Sequence, residues 1–411
     1  MKKKIVSAVL SLSLLFSVSF AKGTVLRFRA DERMMTADGR VITLDSPPVV
    51  ISGRTLCPVR AVTENLGGSA EFDSSSSMVL LKCSGHEFRL TIGSMEAVFD
   101  GEIYVLDSPP VIINSRTMLP LRFISERLSL NVSYDAPSGA VTVYEDGAKV
   151  GFDFLLVPPF SGGPVAQINS GEPFFKEEEI TEKSFERYSP LDSLSRAGVC
   201  VSSVGQDIMP VTARGEIGSV RPTGWHLVKY DIVDGKYLYN RCHLIGYQLT
   251  GENANERNLI TGTRYLNVTG MLPYENETAE YVKRTGNHVM YRATPVFYGD
   301  NLLADGVYLE ALSVEDGGAG VRFSVFCYNV QPGIVIDYKT GESRLDEESA
   351  EKTHEEATHK ESLVLNVKSK KYHRPSCSAA EKIKAENRAE GTYDTSELES
   401  MGYTPCGICN P

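Results

Sequence analysis

The 411-residue sequence has no excess of basic residues, a single tryptophan and only seven histidines. Lysine and arginine number 42 against 53 aspartate and glutamate residues, which gives a formal net charge of −11. This balance argues against a protein coated in basic surface for nucleic acid, although a local patch can differ from the sum. An apolar content of 42% is enough for real cores, and the length suits two to four domains.

Long apolar runs are missing too, apart from one at the N-terminus. Three lysines at residues 2–4 precede the apolar, serine-rich stretch Ile5–Phe20, and Ala21 ends a small-x-small cleavage sequence. This pattern predicts a secretory signal peptide over residues 1–21. A retained membrane anchor is the alternative, but the apolar run is short for one. We expect the mature protein to be secreted or associated with the cell surface, without a transmembrane segment.

The eight cysteines lack the dense, regular spacing of a disulfide framework. Five are scattered over residues 57–327 and three cluster near the C-terminus. Cysteines of exported proteins often form disulfides, but this distribution does not predict one network. The sequence leaves the redox state of the scattered cysteines open, namely Cys57, Cys83, Cys200, Cys242 and Cys327.

The first third of the chain contains an internal repeat. LDSPPVVISGRTLCPVRAVTENLG begins at Leu44 and LDSPPVIINSRTMLPLRFISERLS begins at Leu106, an offset of 62 residues. Each unit predicts two short strands around a polar turn, and then a helix opened by a proline. Val59, Val62 and Leu66 would give the first helix one apolar face. Two units are too few for a solenoid, so they predict one shared α+β module.

The repeated motifs resemble the copper amine oxidase-like N-terminal domain over residues 36–146. The resemblance implies a non-catalytic stalk or surface-binding module of exported bacterial proteins, with a cell-wall or other surface ligand as its partner. The repeats contain no cluster of three histidines that would bind copper, because His86 stands alone. We therefore expect no oxidase activity from this region.

Two stretches of biased composition separate the other regions. Residues 147–195 are rich in proline, glycine, serine and acidic residues, which predicts a linker. Residues 341–361 carry eight acidic and three basic residues, which predicts a solvated acidic spacer. His354 and His359 lie inside this spacer and are only weak indications of a metal site. A compact unit over residues 196–340 and a tail over residues 362–411 remain.

The middle unit centres on the sequence YNRCHLIGYQL, which contains His243. The VDG sequence at residues 233–235 predicts a hairpin whose second strand leads into this histidine. Residues 266–282 have a helical composition that Gly270 and Pro273 interrupt. A lone histidine beside apolar residues is more often structural than catalytic. Amide and carboxylate oxygens that follow His243 suit Mg²⁺, however, and a neutral imidazole beside such a site can accept a proton.

Four ordered motifs resemble the DNA/RNA non-specific endonucleases of the ββα-metal (His-Me finger) superfamily, over about residues 205–340. They are NRCHLIGYQLTGE, ERNLITGTRYLN, GMLPYENE and NHVMYRATPVF. The family signature Asp-Arg-Gly-His here reads Asn240-Arg241-Cys242-His243, so Arg241 and His243 match. The resemblance implies hydrolysis of DNA and RNA phosphodiesters, with products that carry a 5′ phosphate and a 3′ hydroxyl.

The resemblance also implies roles for individual residues. His243 would be the general base, and Asn267 would hold Mg²⁺, or Mn²⁺ in its place. Asn258 would hold the finger or the substrate, and Glu275 would bind a metal-bound water or orient the site. Arg241 would contact phosphate or brace the finger. The arginines around the motif would form the substrate-binding patch, namely Arg241, Arg257 and Arg264.

Two alternatives to an exported nuclease stay open. One is a cell-surface binding protein whose nuclease domain is inactive, which Asn240 and Cys242 favour because they depart from the signature. The joint presence of His243, Asn258 and Asn267 favours an active enzyme. The other alternative is a toxin delivered to competitors.

The tail contains two pairs of soft metal ligands. His373 and Cys377 are separated by three residues, and Cys406 and Cys409 follow after 28 residues as a Cys-x2-Cys pair. This spacing predicts a tetrahedral structural Zn²⁺ site, since three cysteines cannot pair fully among themselves. The pattern resembles the Ada-type zinc-binding fold, with histidine at the first ligand position. The whole chain is thus predicted to be an α+β multidomain protein with a repeat module, a ββα-metal nuclease fold and a small zinc-binding domain.

Overall fold

The computed structural model describes residues 23–346 and 360–409. The predicted signal peptide, most of the acidic spacer, and His354 and His359 lie outside the described residues. The described chain is a mixed α+β structure in which β-sheet predominates. Within these two ranges, none of the helices combines the length and the apolar character needed to cross a membrane.

The N-terminal module is built from short strands and short helices. In chain order these are β1 (Val25–Arg29), β2 (Met34–Ala37), β3 (Arg40–Thr43), β4 (Val49–Ile51), β5 (Arg54–Pro58), α1 (Val59–Asn65), β6 (Ser69–Asp73), β7 (Met78–Cys83), β8 (His86–Thr91), β9 (Glu96–Phe99), β10 (Glu102–Val105), β11 (Val111–Ile113), β12 (Arg116–Pro120), α2 (Leu121–Arg127), β13 (Asn131–Asp135) and β14 (Ala140–Tyr144).

The two repeats complete each other's sheets. The strand orders are β13-β14-β1-β2-β3, β10-β9-β8-β7-β6 and β11-β12-β5-β4. In the last sheet Cys57 pairs with Leu119, and these two positions are equivalent under the repeat offset. The module therefore has an internal twofold axis at this pair, normal to the antiparallel strands. Neither repeat could pair all its strand edges without the other.

The local elements of the repeat are confirmed as predicted. Pro58 ends β5 and the helix α1 follows at once. Val59, Val62 and Leu66 are buried on the inner face of this helix and the turn after it. A hairpin also forms around Asp73, whose carboxylate accepts hydrogen bonds from Ser75 and Ser76 in the turn. Local periodicity and turn chemistry were sufficient here because each unit is short.

The middle region of the chain is organised around a six-stranded sheet. Its elements in chain order are β15 (Val165–Gln167), β16 (Phe185–Tyr188), β17 (Cys200–Val204), β18 (Tyr239–His243), α3 (Tyr247–Thr250), β19 (Leu259–Thr263), α4 (Leu272–Thr285), β20 (Val289–Val296), β21 (Gly306–Ser313), β22 (Arg322–Tyr328), β23 (Ile334–Ile336) and β24 (Ser343–Leu345). The main sheet has the order β15-β22-β21-β20-β17-β16. Its central strands are buried and pack with α4 in one apolar core.

The structure differs from the predicted boundaries on both sides of this region. Residues 147–195 are not a free linker, because β15 and β16 from this stretch form the two edges of the main sheet. Phe152 stacks on Tyr308 with ring centroids 3.8 Å apart, which ties the stretch to the core. At the other end, β24 pairs with β23 beyond the predicted limit at residue 340. The few apolar side chains in these polar stretches are enough to order them.

The finger that carries the candidate site is a strand, a loop, a strand and a helix. β18 pairs with β19 along its whole length, and the chain then enters a π-helical segment, Leu266–Met271, that runs directly into α4. The hairpin predicted at the VDG turn is reduced to one bridge between Lys229 and Tyr237. Residues 239–243 pair with β19 instead, because this pairing buries Cys242 and Ile260 in the core.

Gly270 and Pro273 do not interrupt the helix as predicted. Gly270 lies in the π-helical segment, where a side chain would crowd Cys327 of the neighbouring strand. Pro273 lies in the first turn of α4, where a missing N–H is tolerated. A π-helical turn is a frequent feature of functional sites, and here it carries Asn267.

The C-terminal tail forms a small sheet of its own. Its elements are β25 (Lys360–Asn366), β26 (Lys371–His373), β27 (Arg388–Asp394), α5 (Thr395–Ser400) and β28 (Thr404–Pro405). The strand order is β27-β25-β26-β28, with β26 and β28 parallel. This parallel pair places the ends of the two strands side by side, and both predicted ligand pairs begin at those ends.

Candidate active site

His243 is the last residue of β18 and lies at the edge of a cleft between the finger and the chain before it. The cleft has a volume of about 560 Å³. Its lining includes Arg214, Trp225, Asn240, His243, Asn267 and Glu275. The strand, the π-helical segment and α4 thus bring together residues that are 32 positions apart in sequence, from His243 to Glu275.

Hydrogen bonds fix the orientation of the His243 ring. Nε2 lies 2.7 Å from the backbone oxygen of Asn253, and Nδ1 lies 3.1 Å from an Nη2 of Arg214. A carbonyl oxygen can only accept, so Nε2 carries the proton and donates it to Asn253. Nδ1 is then the unprotonated nitrogen and accepts from Arg214. The atom available to take a proton is therefore Nδ1.

The environment of His243 keeps its imidazole neutral. Its side chain is 94% buried, since only 6% remains exposed. Burial and, to a smaller extent, the positive charge of Arg214 lower the pKa of His243 to about 4, against the opposing effect of the Asn253 carbonyl. The ring is accordingly a neutral proton acceptor at physiological pH.

Asn267 faces the same cleft from the π-helical segment. Its Oδ1 accepts a hydrogen bond from the thiol of Cys242 at 3.2 Å, and its Nδ2 donates to Oδ1 of Asn240 at 3.2 Å. Both departures from the family signature thus touch the candidate metal ligand. The Cys242 side chain is fully buried against Gly262, where an added Cβ would collide with the sulfur. A larger side chain than cysteine would displace this strand pair.

Glu275 supplies a carboxylate in the same cleft. It lies in the first turn of α4, beside Gly246, and an added Cβ at Gly246 would meet the carboxylate. Burial raises the pKa of Glu275 to about 7, although a hydrogen bond from Gln248 and the charge of Arg214 oppose this. Glu277 and Glu280 are exposed and are not among the residues that line the cleft. Of the three carboxylates on this helix, Glu275 is the one in the cleft.

Arg241 braces the loop on the other side of the cleft. Its Nε donates to the backbone oxygen of Val220, and its Nη2 donates to that of Gly218 at 3.0 Å. The guanidinium also lies over the ring of Trp225, 4.1 Å from the centroid. Of its two predicted roles, these contacts correspond to bracing.

The predicted patch of three arginines is split by the structure. Arg264 lines the cleft and pairs with Asp234 at 2.9 Å. Arg257 is exposed in the turn before β19, outside the cleft lining. Arg257 lies outside the cleft because β19 carries the chain across the finger before it reaches Arg264, and the role of Arg257 in substrate binding stays a prediction.

Asn258 holds the finger rather than facing the cleft. It is fully buried, its Oδ1 accepts from the backbone N–H of Ile245 at 2.8 Å, and its Nδ2 donates to the backbone oxygen of Ile245 at 2.9 Å. These two bonds fix the turn that follows His243. A direct contact between Asn258 and substrate, which was one of its two predicted roles, does not fit this burial.

The other histidines of this region have structural contacts. His288 lies 2.8 Å from Glu315, whose carboxylate also accepts from the His288 backbone N–H. His226 bonds to the backbone oxygen of Thr340 through Nε2 at 3.1 Å. Neither lines the cleft. His243 is thus the histidine of this region that the described residues place in the cleft.

Arg214 and Trp225 were missed as site residues by sequence reasoning. Arg214 is 29 residues before His243 in a stretch without helix or strand, so periodicity offers no signal for it. The Asn253 carbonyl was missed for a different reason, because a backbone oxygen carries no side-chain signature. A basic or aromatic residue in an irregular stretch ahead of the motif would have been the only available indication.

The tail brings its four predicted ligands together. One ligand atom from each of His373, Cys377, Cys406 and Cys409 lies within 4.8 Å of the others, and the first three residues are buried. Nδ1 of His373 and the sulfur of Cys377 are 3.7 Å apart. Ligands bound at about 2.0–2.3 Å to a tetrahedral zinc ion lie about 3.5–3.8 Å from each other. Backbone N–H groups of Arg374 and Ile408 also point at two of the sulfurs.

Two known families match separate parts of the chain. Residues 36–143 match the family described as copper amine oxidase N-terminal domain. Residues 177–314 match the family described as DNA/RNA non-specific endonuclease. The second match contains His243, Asn267 and Glu275. It also includes the second half of the stretch that composition assigned to a linker.

Solved nuclease structures align with part of the chain. NucA from Streptococcus agalactiae without metal is 24% identical, covers 46% of this chain and 90% of its own, and has a TM-score of 0.40. The same protein with magnesium bound is 23% identical, with coverages of 46% and 88% and a TM-score of 0.41. Sda1 nuclease with a bound zinc ion is 29% identical, with coverages of 39% and 81% and a TM-score of 0.36.

The endonuclease match covers the part of the chain that contains the cleft. This similarity supports an enzyme that hydrolyses nucleic acid. The match to the copper amine oxidase N-terminal domain lies before it in the same chain.

Proposed function

We propose that the protein is an exported, Mg²⁺-dependent endonuclease that cleaves DNA and RNA without sequence preference, with His243 as its general base. The observation that carries this proposal is the orientation of His243. The Asn253 carbonyl holds the proton on Nε2, so that Nδ1 presents a lone pair to the cleft that contains Asn267 and Glu275. A structural histidine in an apolar core would have no reason to face two oxygen donors.

The proton path follows from this tautomer. Nδ1 of His243 takes a proton from a water molecule, and the water oxygen forms a bond to phosphorus in line with the 3′ oxygen. The bond between phosphorus and the 3′ oxygen breaks, and that oxygen leaves to become a 3′ hydroxyl after it gains a proton. The other product retains the 5′ phosphate. The imidazolium that forms is held by its bond to Asn253.

The residues of the cleft fit a magnesium ion. Asn267 offers an amide oxygen and Glu275 a carboxylate, and both are hard donors of the kind that Mg²⁺ prefers. Burial disfavours the charged form of Glu275, and a cation beside it would favour that form. A bound Mg²⁺ would supply charge stabilisation for the phosphate oxygens during cleavage. Asn267 would hold the ion, and Glu275 would hold its water.

In this mechanism Arg214 moves from the His243 ring to the phosphate of the substrate. In the free protein it donates to Nδ1 of His243, the atom that must receive the proton. An anionic phosphate in the cleft would attract the guanidinium away from the neutral ring, because the phosphate carries the opposite charge and can accept two parallel hydrogen bonds from it. Substrate entry would then free Nδ1 and place Arg214 on the phosphate. Arg264 lines the same cleft and would add positive charge.

We propose separate roles for the two flanking regions. The copper amine oxidase N-terminal domain would bind a ligand at the cell surface after cleavage of a signal peptide near Ala21. The tail would hold a structural Zn²⁺ ion through His373, Cys377, Cys406 and Cys409, which the clustering of their ligand atoms within 4.8 Å supports. Mass spectrometry of the exported protein would test the signal-peptide cleavage and the bound zinc, since each gives a defined mass.

Digestion of plasmid DNA and of structured RNA would test the catalytic proposal. We expect cleavage of both in Mg²⁺ and none in EDTA, with 5′ phosphate and 3′ hydroxyl ends on the products. Labelling with a kinase before and after phosphatase treatment identifies these ends. Cleavage that survives EDTA, or products with a 3′ phosphate, would contradict the proposal.

A further inference from the structure

The N-terminal module contains two cavities outside the catalytic region. They have volumes of about 380 Å³ and 420 Å³, each the size of a small-ligand site. One lies beside α1 and is lined by Asp45, Arg60, Glu64 and Phe72 from the first repeat and Arg116 from the second. The twofold axis of the module predicts that the second cavity has the same composition.

The second cavity repeats the charged and aromatic residues named for the first. It is lined by Asp107, Arg122, Glu126 and Tyr134 from the second repeat, and by Arg54 from the first. Each of these lies 62 positions from its counterpart. An ion pair crosses between the repeats in both cavities, Arg116 with Asp45 at 2.8 Å and Arg54 with Asp107 at 2.6 Å. Neither cavity is complete without both repeats.

Comparison of the repeats shows that these charges have been kept while other surface charges differ. Arg40 corresponds to Glu102, and Glu71 corresponds to Ser133. The aspartates of two turns are also identical, and there the carboxylate holds the backbone. Arg27 and Arg89 are identical as well, and Arg27 is buried. The remaining identical charges are the four of each cavity. Identity at exposed positions indicates binding more often than packing.

Stability does not account for these four charges. The side chains of Asp45, Arg60 and Glu64 are between 57% and 67% exposed. The side chains of Arg116, Arg54 and Asp107 are between 31% and 46% exposed. Exposed ion pairs contribute about 0–1 kcal/mol each. The charges also face open cavities rather than a packed interface. A ligand that enters the cavities is the better explanation.

The chemistry of the cavities identifies the class of ligand. Both hold two guanidinium groups and two carboxylates at equivalent positions, and the first also holds Glu71. The formal charge is therefore −1 in the first cavity and zero in the second, and neither selects a polyanion. An exposed aromatic ring, Phe72 or Tyr134, stands at each rim. Rings with this exposure bind flat apolar faces, while paired acids and arginines bind neighbouring hydroxyl groups. A neutral sugar presents both kinds of surface.

We propose that the two cavities are equivalent binding sites for units of a neutral glycan chain, which makes the module bivalent. This inference rests on the surface-binding role proposed above and is independent of the nuclease mechanism. Because the sites are related by a twofold axis and not by a translation, one directional chain would meet them in opposite directions. Two chains, or two stretches of a folded chain, are therefore bound at once. Bivalency would strengthen attachment to an insoluble polymer far beyond the affinity of one site.

Binding of a soluble probe and an insoluble probe by the full-length protein would test this. The soluble probe is the N-acetylglucosamine tetramer, studied by calorimetry. The insoluble probe is peptidoglycan sacculi, used before and after acid removal of their anionic polymers. The variants are Phe72→Ala, Tyr134→Ala and the double variant, all at exposed positions that should tolerate the change. Ile103→Ala, which truncates an exposed apolar side chain away from both cavities, is the matched control.

We expect two tetramer sites per chain, one in each single variant, none in the double variant and two in the control. On acid-treated sacculi each single variant should bind at least about tenfold more weakly than the parent, because bivalency is lost. Plasmid digestion by the same preparations should be unchanged, and thermal unfolding that matches the control would show that the N-terminal module of each variant is folded. Binding that requires the anionic polymers, or that polyphosphate displaces, would overturn the choice of a neutral glycan.

Two other results would separate this inference from the surface-binding role. Sacculus binding that all the variants retain would leave the surface role standing and remove the cavities from it. A tetramer stoichiometry of one in the parent protein would overturn the equivalence of the two sites. Absence of binding to tetramer and to both sacculus preparations would overturn the inference together with the surface role.

Discussion

The cleft and the tail each bring polar side chains together, but with opposite chemistry. The cleft offers Asn267 and Glu275, two oxygen donors in an open cavity, which leaves room for water and substrate. The tail offers one nitrogen and three sulfurs in a closed cluster. Open sites with oxygen donors suit a metal that takes part in chemistry, whereas closed sulfur sites suit a metal that stabilises a fold. Changes to each site should therefore have different consequences.

Loss of a tail ligand should have the largest energetic effect. Cys406→Ser would remove one of four zinc ligands, and structural zinc contributes about 10–16 kcal/mol to folding in small domains. The tail has too small a core to replace this. We expect loss of bound zinc and rapid proteolysis of residues 360–409, measured by metal analysis and limited trypsin digestion.

The same variant should leave catalysis intact. Cleavage of plasmid by Cys406→Ser in Mg²⁺ should match the parent protein, with Cys200→Ser as a control thiol outside the tail cluster. A tail that stays protease-resistant without zinc would refute the assignment. A parallel loss of plasmid cleavage would instead show that the two metal regions depend on each other.

Substitution of the oxygen donor in the cleft should have the next largest effect. Asn267→Ala removes the proposed Mg²⁺ ligand, and we expect kcat/KM to fall by about 10²–10³-fold, equivalent to about 3–4 kcal/mol. Higher Mg²⁺ concentration should restore part of the activity, because the loss is one of metal affinity. Steady-state rates against Mg²⁺ concentration would measure this. A loss that no Mg²⁺ concentration reverses, with unchanged metal affinity, would assign Asn267 another role.

The pH dependence should reveal the carboxylate. Glu275 has a raised pKa of about 7 and would have to be ionised for its proposed role beside the metal, so activity should rise as pH increases through that value. His243 stays neutral in this range, because its pKa is lowered to about 4. A cation favours the ionised form of Glu275, so a higher Mg²⁺ concentration should move the midpoint to lower pH.

Rate profiles at two Mg²⁺ concentrations would test this, with Glu275→Gln for comparison. The variant should lack the titration near neutral pH. The free energy of unfolding should change in the opposite direction to the activity. Because the Glu275 pKa is raised in the folded protein, the stability that this group contributes falls as pH rises from the ordinary carboxyl pKa to about 7. A midpoint that Mg²⁺ does not shift would exclude Glu275 from the metal region.

The smallest expected effect is a difference in KM for DNA between substitutions of two arginines. Arg264 lines the cleft and Arg257 does not. Arg264→Ala should raise KM for DNA by a few fold and reduce its salt dependence by about one phosphate contact, whereas Arg257→Ala should change neither. Equal effects of the two substitutions on a plot of log KM against log salt would support the original three-arginine patch.

Sequence predicted the parts of the molecule that depend on local pattern. Residue spacing along the sequence was enough to predict the repeat elements, the position of His243 at a strand end and the approach of the tail ligands. The hairpin predicted at the VDG turn is reduced to one bridge, because a turn sequence is only a local signal. The pairing of β18 with β19 depends instead on the burial of Cys242 and Ile260. Arg214 and the Asn253 carbonyl reach His243 through tertiary contacts that no local pattern encodes.

The stretch over residues 147–195 shows the same limit on a larger scale. Its composition resembles a linker, yet it supplies both edge strands of the main sheet. Edge strands pair through backbone groups, so they need few apolar residues. Composition therefore underestimates order wherever a neighbouring sheet offers an unpaired edge.

The most direct measurement of the central claim is single-turnover cleavage of a DNA duplex in Mg²⁺ by His243→Ala. His288→Ala is the matched control, a histidine of the same domain outside the cleft. We predict that His243→Ala cleaves about 10³-fold more slowly than the parent protein and still binds DNA, and that the control cleaves at a rate near that of the parent. Cleavage by His243→Ala at the parent rate would contradict the assignment of His243 as the general base.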